Sequence, residues 1–186
     1  MRLPSLCLLL MLSLSAVGYV PAFAQGNGSA PPAQSTPVRE IQKWFAAYDN
    51  IRRQDQMNPQ EKAQADKAMA GGLSMFMPGE EKAAGQNFLR MLSERDARAA
   101  QELKALPLYP ETKQLHIGYY QYFTQASALK GDYIKLQDHP LSKDANGNPL
   151  AADVAMRKQN LEQLDQNNKA LDAQLRQQFN IPPYRY

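Results

Sequence analysis

Apolar residues in this chain recur at helical spacing, and proline sits repeatedly where a helix would begin. The first helical position tolerates proline because its N–H has no partner within the helix. Thr36-Pro37 opens a helix over roughly 37–56. Its inward set is Val38, Ile41, Phe45, Tyr48 and Ile51 or Arg52, with Trp44 on the flank. Asn58-Pro59-Gln60-Glu61 supplies a cap, a first-position proline and a third-position acid, the elements of a capping box. It predicts a short second helix over roughly 59–76, weakened by Gly71-Gly72 and paired with the first as a hairpin. Pro78-Gly79-Glu80-Glu81 opens a third, roughly 79–105, with its acids at the end where the helix dipole favours negative charge. Phe88, Leu92, Arg95, Ala99, Leu103 and Leu106 follow a four/three spacing there, with Met91 beside them.

The fourth helix, from Pro110-Glu111 to about Gln137, carries the most regular pattern. Leu115, Tyr119, Tyr122, Ala126, Leu129, Tyr133 and Leu136 form a heptad seam, which His139-Pro140 stops. A turn around Asn146-Gly147 follows, and Asn148 is placed to cap a fifth helix running from about Pro149 to Phe179. Val154, Leu161, Leu164, Asn168, Leu171 and Leu175 take its seam, with Arg157 in the polar gap. A buried Asn on such a seam costs stability but can fix register. Residues 180–186 hold Pro182-Pro183, cannot continue a helix and read as an extended C-terminal tail. No segment alternates with period two. The expected fold is all-α: an up-and-down helical bundle of four to five helices, three of them long, occupying residues 36–179. The long helices would each span about 40 Å at 1.5 Å per residue.

The N-terminus has a different grammar. Arg2 precedes the apolar run Leu6 to Leu12, more apolar residues reach Val20, and the stretch closes on Ala22-Phe23-Ala24. A positive start, an apolar middle and small residues at −3 and −1 read as a secretory signal, with cleavage predicted after Ala24. Ser13, Ser15, Gly18 and Pro21 interrupt the run, which falls short of the roughly 20 apolar residues of a membrane span. Residues 25–35 are rich in Gly, Ser, Pro and Gln and read as a flexible leader. The expected location is periplasmic or secreted.

Composition then narrows the chemistry. Cleavage would remove Cys7, the single cysteine. A cysteine-free mature chain holds no disulfide, thiolate zinc site, iron–sulfur cluster or thiol nucleophile. Arg2 would be lost too, lowering the net charge from +3 by one. That balance argues against nucleic acid as a partner.

Four features could carry function. The two histidines, His116 and His139, lie about 34 Å apart on a straight helix and cannot share a metal within one chain. Met69, Met75 and Met77 are weak candidates for soft-metal ligands, since thioethers suit Cu(I); the plainer reading is that they fill gaps in packing. Asp144-Ala-Asn146-Gly-Asn148 resembles the start of a calcium loop, but Pro149 stands where its glycine belongs and Ala155 where its bidentate acid belongs. The aromatic concentration is the best binding candidate. Tyr119, Tyr120, Tyr122 and Phe123 crowd helix 4. His116, Tyr120 and Phe123 with Trp44 could line a ligand or partner face, against the alternative of a tyrosine-rich core. No phosphate loop, nucleophile elbow or zincin motif occurs. The sequence therefore points to a non-enzymatic exported bundle, adaptor or chaperone-like, with a protein partner and no cofactor. The alternative is a small-molecule or metal-binding protein using an aromatic cleft or the methionines. The seams are compatible with self-association.

Overall fold

Five helices form: α1 (Val38–Asp55), α2 (Pro59–Met69), α3 (Gly79–Ala105), α4 (Lys113–Asp138) and α5 (Leu150–Gln178); only α2 starts with the expected first-position proline and side-chain cap, whereas Pro37 and Pro149 stand one residue before α1 and α5. The structure is a computed structural model and describes residues 35–70 and 79–185. The signal-like segment, most of the leader, residues 71–76 of the expected second helix, and Met75 and Met77 lie outside the described residues. Among the described residues there is no β-strand, only one isolated bridge between Lys143 and Pro149.

The break between α1 and α2 is local chemistry. Asn58 precedes Pro59, whose ring pushes it out of the helical region to φ −72°, ψ 166°. There it caps α2: Oδ1 accepts from the Glu61 N–H at 2.8 Å, while Glu61 Oε2 accepts from the Asn58 N–H at 2.9 Å. The expected hairpin does not form. Asp55 lies near Arg95 of α3, and Glu61 at the start of α2 pairs with the same Arg95 at 3.3 Å. Further along, Ala68 packs over Gly85 and Lys67 reaches Glu81. Both short helices thus run antiparallel to α3, one after the other, covering successive stretches of it. A hairpin needs a reversal, and residues 56–58, with Gln56 and Asn58 extended, interrupt the helix without turning it back.

The result is an up-and-down bundle of four segments, the first of them broken. The three long helices have 27, 26 and 29 residues. Pairing of α4 with α5 is set by a close approach. A Cβ on Gly118 would overlap Asn168 Oδ1, so only glycine fits against the buried seam asparagine. Further along the same face of α5, Asp172 and Arg176 meet Arg52 and Asp49 of α1.

The core divides in two. One cluster gathers Trp44, Phe45, Tyr48, Leu103, Leu115, Tyr119 and their neighbours; the other gathers Ala68, Leu89, Leu129, Tyr133, Leu150 and Val154. Between them along α3 and α4 lies a polar layer: the buried Lys130 ammonium on the buried Asp96 carboxylate, and Ser93 on Ser127 at 2.9 Å.

Three expectations need correction. The buried face of α3 is Leu89, Leu92, Asp96, Ala99, Ala100 and Leu103, leaving Phe88, Arg95 and Leu106 half-buried. The inward arc includes a charge because Lys130 arrives from α4 to meet it. On α1, Trp44 is buried while Val38 is exposed. Finally, Asn148 does not cap α5. Its amide is turned back to Asp144, whose Oδ1 also accepts the Asn146 and Asn148 N–H groups at 2.8 Å. The α5 N-terminus has no side-chain cap, and the Leu150 N–H donates instead to Ser142 O.

Candidate functional site

The end of α5 is built to turn the chain back. Asn180 adopts the left-handed conformation, φ 54°. Ile181 N–H donates to Arg176 O at 2.9 Å and Asn180 N–H to Gln177 O. This is a Schellman motif, with asparagine in the position glycine usually takes and prolines just beyond. The tail therefore folds onto α1 and α5. Arg176 Nη1 donates to Pro182 O at 2.9 Å, and the Tyr184 hydroxyl donates to Gln56 Oε1 at 3.2 Å.

Two arginines lie beneath it. The Arg52 guanidinium sits 4.1 Å from the Tyr184 ring centre, 4.7 Å from Tyr119 and 5.2 Å from Tyr48. The Arg176 guanidinium lies 4.9 Å from Phe45 and 5.7 Å from Tyr184. Cation–aromatic contact of this kind favours the guanidinium plane, which stacks where an ammonium does not. Asp172, itself 2 % exposed, takes Arg176 Nε at 3.0 Å and Arg52 Nη1 at 3.4 Å, and Asp49 holds the other end of Arg176. Burial opposes charge on Arg176, but these two carboxylates more than offset it, and its pKa rises. Burial holds the Tyr48 hydroxyl well above its ordinary value, so it stays neutral.

Three clefts meet at Tyr184, with volumes near 480, 410 and 350 Å³. The last opens between α1, α4 and α5. Tyr119, Tyr122, Phe123 and Tyr184 supply its apolar walls, and Lys62 and Lys169 stand with Asp55 and Asp165 among its charged groups. Burial first, then Asp165, raises the Tyr122 hydroxyl above its usual pKa, so this ring too is neutral at physiological pH. Asp55 is the unusual member. Burial, reinforced by the neighbouring Asp96 carboxylate, pushes it up to about 7 against the opposing pull of Lys130 and Arg95. The charge on this edge of the cleft consequently changes near neutrality.

The residues singled out from the sequence divide between core and cleft. Trp44, His116 and Phe123 are 2 %, 8 % and 2 % exposed, and Tyr120 is half-buried against the same cluster. His116 lies 6.2 Å from the Trp44 ring, and burial lowers its pKa. Of these four, only Phe123 also lines the cleft. Met69 packs half-buried against the second cluster. His139 ends α4 as an exposed cap residue. Among the described residues, no group of three or more His, Cys, Asp or Glu side chains is placed to hold a metal ion, and no helix is long and apolar enough to cross a membrane. Arg52, Asp172, Arg176 and Tyr184 do not read as a unit in the sequence, although Asn180-Ile-Pro-Pro carries the signal for a returning tail.

Fold and site together define a class: an all-α up-and-down bundle with an aromatic and arginine-lined cleft under its own C-terminal tail. No family model, curated protein or solved structure is significantly similar to the chain.

Proposed function

We propose that this protein is an exported, non-enzymatic helical bundle that acts through protein–protein contact, as an adaptor or chaperone-like binder, with the 350 Å³ cleft as its contact site. The observation that carries the reading is the lining of that cleft. Aromatic rings with charges of both signs at their margin are the chemistry of a polypeptide-binding hot spot. Export follows from the signal-like residues 1–24, and the mature chain would begin at Gln25.

The test is crosslinking in the native source with the wild type, Lys62→Glu and Tyr122→Ala. Lys62 is exposed, so its reversal leaves the fold intact. A specific partner recovered by the wild type and lost with both variants supports the proposal; identical recovery from all three overturns the cleft as the contact site. Mass measurement of the exported protein checks cleavage, and a chain retaining residues 1–24 would refute it. A second reading is favoured by size alone, since clefts of 350–480 Å³ lie in the range of small-molecule sites. Saturating ligand at about 100 times its dissociation constant would raise stability by about 2.7 kcal/mol, so a panel of lipids, haem and Cu(I) in thermal melts separates the two.

A further inference from the structure

We propose that the groove beneath Ile181–Tyr184 is a docking site for an extended partner segment of the pattern apolar-Pro-Pro-aromatic, and that the chain's own tail is its displaceable occupant. The proposal rests on the reading of this protein as a partner-binding bundle.

Four features of the tail carry it. First, the tail is joined to the bundle at the left-handed residue Asn180, so it swings about one hinge, and its release costs α5 the capping bond from Ile181 N–H to Arg176 O. Second, its contacts are of a generic kind. They include the Ile181 N–H on Arg176 O; one carbonyl, Pro182 O, taken by Arg176; the Tyr184 ring on Arg52 and Arg176; its hydroxyl on Gln56; and the Ile181 side chain on the apolar cluster. Any polypeptide with the same short pattern offers the same groups, and consecutive prolines hold it extended at low entropic cost. Third, the tail does not fill its place. The 480 and 410 Å³ clefts share Arg176, Ile181, Pro183 and Tyr184 as walls, so empty volume adjoins the tail where a partner's flanking residues would fit. Fourth, the groove stays formed when the tail leaves. Arg176 keeps Asp49 and Asp172, and Arg52 keeps Asp172 and the Tyr119 ring, none of which belongs to the tail.

A partner segment is favoured over the tail of a second copy. The docked residues, Ile181 to Tyr184, lie within four residues of Asn180, a reach of about 13 Å at roughly 3.3 Å per residue. Exchange would therefore force two α5 ends together, each bringing Arg53 and Arg185 of the same cleft.

The experiment uses the full chain and a fluorescent synthetic peptide, Asn-Ile-Pro-Pro-Tyr-Arg. Tyr184→Ala weakens the internal competitor and should bind the peptide at least tenfold more tightly than the wild type, since apparent affinity scales with the open fraction. The same peptide with its tyrosine replaced by alanine should bind neither. In the wild type, added peptide should speed hydrogen exchange at Ile181, Tyr184 and Arg185, a readout independent of any effect of the variant on folding. The proposal is overturned if folded Tyr184→Ala takes up no peptide at millimolar concentration and tail exchange in the wild type is unchanged. Sedimentation of the wild type as a tail-exchanged dimer would overturn it in favour of self-association. Because the probe is synthetic, failure here leaves crosslinking with the Lys62 and Tyr122 variants as a separate test of the cleft.

Discussion

Replacing Asp55 by Asn should stabilise the protein at pH 8 and have little effect at pH 4. Asp55 is the last residue of α1, where the negative end of the helix dipole already disfavours a carboxylate. Its side chain is 16 % exposed, one oxygen is buried without a hydrogen-bond partner, and Asp96 lies beside it. These surroundings push its pKa from 3.8 to about 7. The folded chain thus holds this proton more tightly than the unfolded chain. Between those two values the folded state binds more protons, so stability falls as pH rises; below 3.8 both states are protonated and the difference vanishes. At about 1.4 kcal/mol per pKa unit, the full penalty above neutrality is on the order of 4 kcal/mol, an upper bound because water reaches part of the group. Asparagine has the same shape, can donate to Asp96 as a protonated Asp55 would, and never ionises. Urea unfolding followed by circular dichroism at pH 4, 6 and 8 measures the outcome. The stability difference between variant and wild type should grow monotonically with pH to a gain of about 2–3 kcal/mol at pH 8. A difference that is flat across this range, or an Asn variant less stable at pH 8, refutes the assignment of a raised pKa to Asp55.

Gly118→Ala should lose about 1–3 kcal/mol in urea melts, because its Cβ would overlap the Asn168 carboxamide. The double variant with Asn168→Ala should recover part of that loss, giving a coupling energy of roughly 1 kcal/mol or more in the double-mutant cycle. Asn58→Ala should cost about 1 kcal/mol and speed amide exchange mainly within α2, since the capping box serves that helix alone. Asp96→Leu should cost up to about 3 kcal/mol by removing the hydrogen-bonded partner of Lys130 and leaving it only the more distant Asp55 carboxylate, whereas adding Lys130→Met should recover most of that loss. A double variant as unstable as the sum of the two single variants would contradict the pairing.

Helix ends are the most legible part of this fold because their chemistry is local. The expected third helix, 79–105, matches α3, and the expected fifth, about 149–179, exceeds α5 by one residue at each end. Proline, the capping box and the Asn146-Gly147 turn act within a few residues of themselves, so reading them needs no tertiary knowledge. What the pattern misses depends on partners remote in sequence. Asp96 is inward only because Lys130, 34 residues later, meets it, and a reading based on apolar spacing passes over an acid. The relation of α1 to α2 turns on the backbone of residues 56–58, which an apolar pattern does not specify. The cleft is half legible. The crowding of Tyr119, Tyr122 and Phe123 marks the right stretch of α4, but its opening depends on Tyr184 arriving from the C-terminal tail.

The charged groups inside this bundle have a common logic. Heptad seams in α4 and α5 repeat every seven residues, so apolar burial alone would tolerate a slide of one heptad between neighbouring helices. The charges would not. Such a slide would separate Asp96 from Lys130, Asp132 from Arg157 and Asp172 from Arg52, and would drive Asn168 off Gly118 into a residue with a Cβ. Each buried charge among these, Asp96, Lys130, Arg52 and Asp172, costs several kcal/mol if left without its partner, comparable to the whole stability of a domain of this size once two or three are stranded; the half-exposed Asp132–Arg157 pair adds less. The correct register is therefore selected by the penalty on every other register more than by the strength of any one pair. The Asp172 and Arg176 network does this for α1 against α5 and also forms the floor on which the tail lies. Fixing the register and preparing the groove thus depend on the same residues, which explains how the groove can persist when its occupant leaves.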